Sequence, residues 1–284
     1  MGTLMDNTMF KTLFPRCFVY DLEYIGIPNK LEACFIWQIG IVHLNSNQRF
    51  TITIDPGIRP LPPPMSGEFM QVTELFLIQS NAVSFKRGWE MCCKWMNLVG
   101  EGNKLLISHN NFKSDKLMLE IECKRRSLHL PYNWYFFDSL LFCRKAVPKQ
   151  TSYTLKDLYR NFKGSDIPNN HSALPDAIAL VELLGAIGYQ NICGPIYPSH
   201  STSLQIVKWL GPACEKTLFS KGINSLEQLI ANILTKYSIV NLGAHLDLNT
   251  FVHDYISTTC GILTRNSKSI SESIVTRWLP TAVK

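Results

Sequence analysis

The chain has 284 residues, 46% hydrophobic and 18% charged, with 28 basic against 22 acidic side chains for a net charge of +6. This composition excludes a globally disordered chain, and the length is ample for one large packed domain or two small ones. No apolar run reaches the roughly 20 residues of a membrane-spanning helix, and the N-terminus lacks a basic region followed by an apolar block, so the expectation is a nuclear or cytoplasmic protein that is neither secreted nor bound to a membrane.

The mild basic excess permits a polyanionic partner; with no basic tail, any such contact must be a local surface. The nine cysteines include no C-x-x-C pair and read as core thiols in a reducing compartment, not as a zinc site.

In chain order, residues 17–24, 34–44 and 49–54 are rich in β-branched and aromatic side chains and are separated by turn formers, which predicts three strands. Residues 55–64 (DPGIRPLPPP) form a proline-rich loop that admits no regular element. Phe85, Trp89, Cys92, Met96 and Val99 recur at gaps of four and three and predict one apolar helix face over 84–99. A strand over 104–108, a helix near 114–128, a strand over 134–138 and helices over 154–162 and 172–187 follow. Three strands and then strand–helix alternation predict a mixed sheet with helices on its faces. Residues 189–203 hold Gly, Pro and Ser with little periodicity and read as a linker, and 204–284 reads as a small all-α domain in which Ile270, Ile274 and Trp278 share a helix face.

Asp21-Leu22-Glu23 lies at the end of an apolar run. Strand side chains alternate faces, so both carboxylates project the same way, and a divalent cation between them relieves their repulsion. Asp115 opens a predicted helix just after Ser108-His109-Asn110, and Asp176 lies in the first turn of the helix from 172. His171 stands five residues before Asp176, Ser172 is the expected N-cap, and Pro175 is tolerated in the first turn. Each feature alone has an ordinary reading: a solvated strand end, an acid favoured by the helix dipole, a capping histidine. Four acids and one histidine, each at an element end, point to chemistry.

Three segments carry a family resemblance: Val19-Tyr20-Asp21-Leu22-Glu23-Tyr24-Ile25-Gly26-Ile27-Pro28, Ser108-His109-Asn110-Asn111-Phe112-Lys113-Ser114-Asp115, and His171-Ser172-Ala173-Leu174-Pro175-Asp176-Ala177. They resemble the three motifs of the DnaQ-like, DEDDh-type 3′–5′ exonucleases, with the nearest likeness to the three-prime repair exonuclease (TREX) group. Asp138-Ser139-Leu140 and the run from Ser152 to Tyr159 resemble secondary landmarks of that family. The resemblance covers residues 15–188 and implies an α/β, RNase H-like exonuclease fold with a mixed five-stranded sheet and flanking helices. It implies that Asp21, Glu23, Asp115 and Asp176 hold two Mg²⁺ or Mn²⁺ ions about 3.5–4 Å apart, that His171 is the general base, and that 5′-nucleoside monophosphates leave a 3′ end. Leu22, Tyr24, Ile27, His109 and Asn110 are the implied substrate contacts. The implied partner is DNA, single-stranded or at the 3′ ends of a duplex, with RNA as the alternative, and a homodimer is expected. Ile25 replaces the family's usual Thr, and Pro175 stands where Ala, Gly or Glu is commoner. Residues 204–234 resemble a helix-hairpin-helix element, with Ala213 where that pattern has its second glycine. The remaining alternative is a non-catalytic nucleic-acid-binding protein on the same fold.

Overall fold

The computed structural model describes residues 3–5, 7–27, 31–61, 72–169, 171–199, 204, 207, 209–241, 247–262 and 267–279. Pro28 of the first motif, Asn170 just before the third, residues 62–64 of the proline-rich loop, 200–203 of the expected linker and 205, 206 and 208 of the expected hairpin lie outside them. The chain forms two compact units, Leu4–Ser199 and a second made of His200–Lys284 with Met1–Thr3.

The first unit is built on a sheet of β1 (Thr3–Met5), β2 (Cys17–Gly26), β3 (Cys34–His43), β4 (Arg49–Asp55), β5 (Val83–Ser84), β6 (Lys104–Ser108), β7 (Trp134–Asp138) and β8 (Gly194–Pro198), in the order β1-β8-β7-β6-β2-β3-β4-β5. β2, β3 and β4 run antiparallel, β2–β6–β7 run parallel, and β8 returns antiparallel to β7. The sheet is therefore mixed, as expected, and its five expected strands are all present. Three short strands extend it. One of them, β8, falls within the expected linker: Ile196 and Tyr197 are fully buried and pair with Phe137 and Phe136. Pro195 and Pro198 hid it, because proline composition argues against a ladder that tertiary burial nevertheless forms.

Its helices are α1 (Asn7–Leu13), α2 (Glu74–Gln79), α3 (Phe85–Val99), α4 (Asp115–Arg125), α5 (Ser139–Ala146), α6 (Leu155–Lys163) and α7 (Ala173–Ile187). Local caps explain several boundaries. Asp138 accepts Leu140 N–H at 2.9 Å to start α5, Thr154 accepts Asp157 N–H at 3.2 Å to start α6, and Gly164 takes the left-handed turn that ends it. α7 packs across β2 and β3 and buries Ala177, Leu180, Leu183 and Leu184 with Val19, Ile107 and Phe137. The central strands read as nearly unbroken apolar runs because both their faces are covered.

The second unit holds α8 (Pro212–Ser220), α9 (Leu226–Asn241), α10 (Leu248–Asp254) and α11 (Ser267–Trp278). α8 begins at Pro212 with Gly211 as its N-cap, within the 204–234 segment expected to resemble a helix-hairpin-helix, since proline favours the first helical position. Ile270 and Ile274 are both buried, as their shared helix face implies, while the Trp278 side chain lies outside the described residues. Among the described residues, no helix is long and apolar enough to cross a membrane.

Candidate active site

β2 delivers the first two acids. Asp21 and Glu23 project from one face, while the intervening Leu22 is buried on the other. On β3, Gly40 pairs with Asp21 and Gln38 pairs with Glu23, and the ladder shifts register just beyond, between Glu23 and Tyr24. Gly40 is where α7 meets the sheet: a Cβ there would fall 2.3 Å from the backbone of Ala173 and Leu174. That contact sets the first turn of α7, and with it Asp176, over the β2 acids.

Oxygen atoms of Asp21, Glu23 and Asp176 all lie within 4.8 Å of one another. Asp176 Oδ2 accepts the His171 backbone N–H at 3.1 Å, whereas Asp176 Oδ1 is buried and, among the described residues, has no hydrogen-bond partner. Asp115, the first residue of α4, stands beside this group and not within it. Its Oδ1 accepts Leu22 N–H at 3.1 Å and its Oδ2 accepts the Ser108 hydroxyl at 2.5 Å, so both oxygens are held by the protein.

Burial pushes all four carboxyls up, and for Asp21 and Glu23 repulsion from the neighbouring acids adds to it. Asp21, hemmed in by protein though still touched by solvent, is raised well above the usual carboxylate range by burial and then by Asp115, Glu23 and Asp176. Glu23 is pushed up to about 8 by burial, Asp176 and Asp115. Asp115 rises to about 7 through burial, against the pull of its bonds to Ser108 and Leu22, and Asp176 to about 6 through burial, against the His171 N–H. Four carboxylates in one poorly solvated recess resist simultaneous ionisation. An unpartnered oxygen on Asp176 and an all-oxygen donor set fit a hard divalent cation, which offsets that charge.

His171 adopts φ +68°, a left-handed conformation unusual for a residue with a Cβ, immediately before α7. Ser172 occupies the N-cap position but makes no side-chain cap bond. Its hydroxyl donates to Gln38 Oε1 at 3.1 Å, and the same oxygen accepts Ala173 N–H at 2.9 Å. The cap that the sequence placed on Ser172 is supplied by a strand.

The implied substrate contacts divide. Ile27 is 51% exposed just past β2, free to meet a base, and Tyr24 reaches Ser114 Oγ at 3.0 Å beside Asp115. Leu22 is committed to the core through its side chain and to Asp115 through its N–H. His109 is held by the protein at both ring nitrogens: Nε2 donates to the Tyr153 carbonyl at 2.7 Å, Nδ1 lies 3.1 Å from Ser139 Oγ, and burial lowers its pKa to about 4. It is a neutral brace between α5 and the segment before α6. Asn110 takes the left-handed turn (φ +62°) whose carbonyl receives Lys113 N–H and Ser114 N–H, both at 3.1 Å. Asn111, which sequence reasoning did not assign, is fully buried. Its Oδ1 accepts Tyr20 O–H and Lys116 N–H at 2.5 and 3.1 Å, and its Nδ2 donates to the Phe137 carbonyl at 2.8 Å, locking β2, β7 and α4 together. Its place beside His109-Asn110 was the sole signal.

The sequence pattern of the exonuclease (RNase T) family matches residues 18–184, more than half of the chain. The chain belongs to the exonuclease family. Two similar solved structures, each at a TM-score of 0.50, agree on the fold. The nuclease domain of 3′hExo, described as a DEDDh family member bound to rAMP, is 15% identical with a TM-score of 0.50, over 63% of this chain and 95% of that one. A full-length 3′-exonuclease is 13% identical with a TM-score of 0.50, over 62% of this chain and 60% of that one. A 3′-exonuclease from a study of histone mRNA stem-loop recognition is 14% identical with a TM-score of 0.47, over 62% of this chain and 63% of its own. The chain thus spans less than two thirds of the length of two of these three relatives. No curated protein matches its sequence.

Proposed function

We propose that the protein is a metal-dependent 3′–5′ exonuclease, of the TREX-like kind, that releases 5′-nucleoside monophosphates from DNA 3′ ends. The observation that carries the reading is the convergence of Asp21, Glu23 and Asp176, with one Asp176 oxygen buried and, among the described residues, unpartnered. These three, with Asp115 beside them, would hold two Mg²⁺ or Mn²⁺ ions. Such ions, when bound, neutralise charge on the scissile phosphate and on the leaving 3′ oxygen and lower the pKa of the attacking water.

The chain's own residues supply the rest. Asp115, anchored by Leu22 N–H and Ser108, keeps β2 and α4 in fixed register beneath the acids. The His171 imidazole takes the proton of the attacking water on a ring nitrogen, a task suited to its near-neutral intrinsic pKa. The exposed Ile27 wedges against the terminal base, and Tyr24 lines the approach. No Ser or Cys nucleophile is required. RNA is the second reading, favoured by the rAMP bound to the 3′hExo nuclease domain. Residues 204–234 would add a phosphate contact of the helix-hairpin-helix kind, and a homodimer is the expected assembly.

The test is degradation of 3′-labelled DNA and RNA oligonucleotides with Mg²⁺, comparing the natural protein with Asp21→Ala and His171→Ala. Mononucleotide release that both substitutions suppress supports the reading. Undiminished release in both, or salt-sensitive binding with no release by the natural protein, would sink it.

A further inference from the structure

The start of α7 is held from outside the helix. Its first amides have no helical acceptor, and Ser172 makes no side-chain cap bond. Gln38 Oε1 takes both donors instead, Ala173 N–H at 2.9 Å and Ser172 O–H at 3.1 Å. A backbone N–H can only donate, so the oxygen of the Gln38 amide must face the helix. Gln38 lies opposite Glu23 in the β2–β3 ladder, two positions from Gly40, on the face that carries the acids. One side chain therefore ties the strand pair bearing Asp21 and Glu23 to the helix turn bearing Asp176.

We propose that Gln38 is a positioning residue for this site, its amide oxygen fixing Asp176 at its distance from Asp21 and Glu23. This rests on reading that recess as the exonuclease centre. The side chain is half-buried and, among the described residues, its hydrogen bonds go to Ser172 and Ala173 and not to the β2 carboxylates, so it acts through the helix it holds. A neutral acceptor also suits the place, because a carboxylate there would add charge beside acids that already repel one another.

The full-length protein tests this with Gln38→Met, which keeps the size and removes the amide oxygen, and with Gln38→Glu, which keeps an acceptor. Three quantities are measured: Mn²⁺ affinity by calorimetry, kcat and KM for 3′-end degradation, and hydrogen exchange at the Ala173 amide. In Q38M, Mn²⁺ affinity and kcat should each fall about tenfold or more, KM for the oligonucleotide should change little, and Ala173 should exchange faster. Q38E should restore Ala173 protection and most of the kcat, with its pH profile moved to higher pH by the added charge. If Q38M fails to fold, Gln38→Asn, one methylene too short to reach, provides the same readouts. Natural Mn²⁺ affinity and kcat in Q38M, or no recovery of either in Q38E, would overturn the proposal. A natural protein that binds Mn²⁺ but releases no nucleotide would overturn the exonuclease reading alone, and Gln38 would then be judged on Mn²⁺ affinity and Ala173 exchange.

Discussion

At the scale of single residues, Asp176 shows how charge and bonding combine. One oxygen is pinned by the His171 backbone and the other is buried with no hydrogen-bond partner among the described residues. Asp176→Asn keeps the shape and removes the charge, and should abolish divalent-cation binding measured by calorimetry while leaving the fold intact. His171→Ala should lower kcat by about 10²–10⁴-fold, the range for a lost general base, with Mn²⁺ affinity changed far less. The four carboxyls also set a pH dependence. Their folded pKa values lie above the unfolded values near 4, so the fold favours their protonated forms. That contribution is complete below about pH 4 and is lost as pH rises through about 6 for Asp176, about 7 for Asp115 and about 8 for Glu23. The metal-free protein should therefore melt at a lower temperature at pH 8 than at pH 5, and Mg²⁺ should raise the melting temperature more at pH 8. Calorimetric scans at the two pH values, with Mg²⁺ and with chelator, check both signs.

At the scale of elements, the site depends on how α7 docks on β3. Gly40 lets the helix backbone come into direct contact with the strand, and Ala173 and Leu174 already occupy the space of a Cβ. Gly40→Ala should cost about 1–3 kcal/mol of stability by overpacking and lift Asp176 away from Asp21 and Glu23. Activity at saturating Mg²⁺ should then fall by more than the stability loss accounts for, as parallel denaturation and 3′-end assays would show. The strands and long helices of this region were legible from local patterns: β-branched and aromatic runs bounded by turn formers in the strands, and gaps of four and three in α3. The caps differ in how far their acceptors lie along the chain. Asp138 and Thr154 serve their own helices, whereas the acceptor at the start of α7 comes from Gln38, distant in sequence. His109 illustrates the same limit: its neighbours Ser139 and Tyr153 are invisible from the motif that contains it.

At the scale of the whole molecule, the first compact unit runs from Leu4 to Ser199, beyond the expected end at 188. The addition is β8, which covers Phe136 and Phe137 with Ile196 and Tyr197. A chain truncated after Ser199 should unfold cooperatively in denaturant. One truncated after Gly188 should lose that cooperativity and associate, because it uncovers the hydrogen-bonding edge of β7. Equilibrium unfolding and light scattering of the two truncations distinguish the outcomes.

What the sequence determined by itself was whatever is written in short-range patterns: the mixed sheet with its flanking helices, the alternation that puts Asp21 and Glu23 on one face, and the placement of Asp115, His171 and Asp176 at element ends. What only the tertiary structure decided was which of these groups meet, and how each is held. Asp21, Glu23 and Asp176 converge because a strand glycine admits a helix backbone. Asp115 stands aside because Leu22 and Ser108 engage both its oxygens, and β8 forms although its prolines argue against it. Periodicity is a property of neighbouring residues, so one chain can display it. Convergence depends on the burial and hydrogen bonding of residues far apart, which no local pattern encodes.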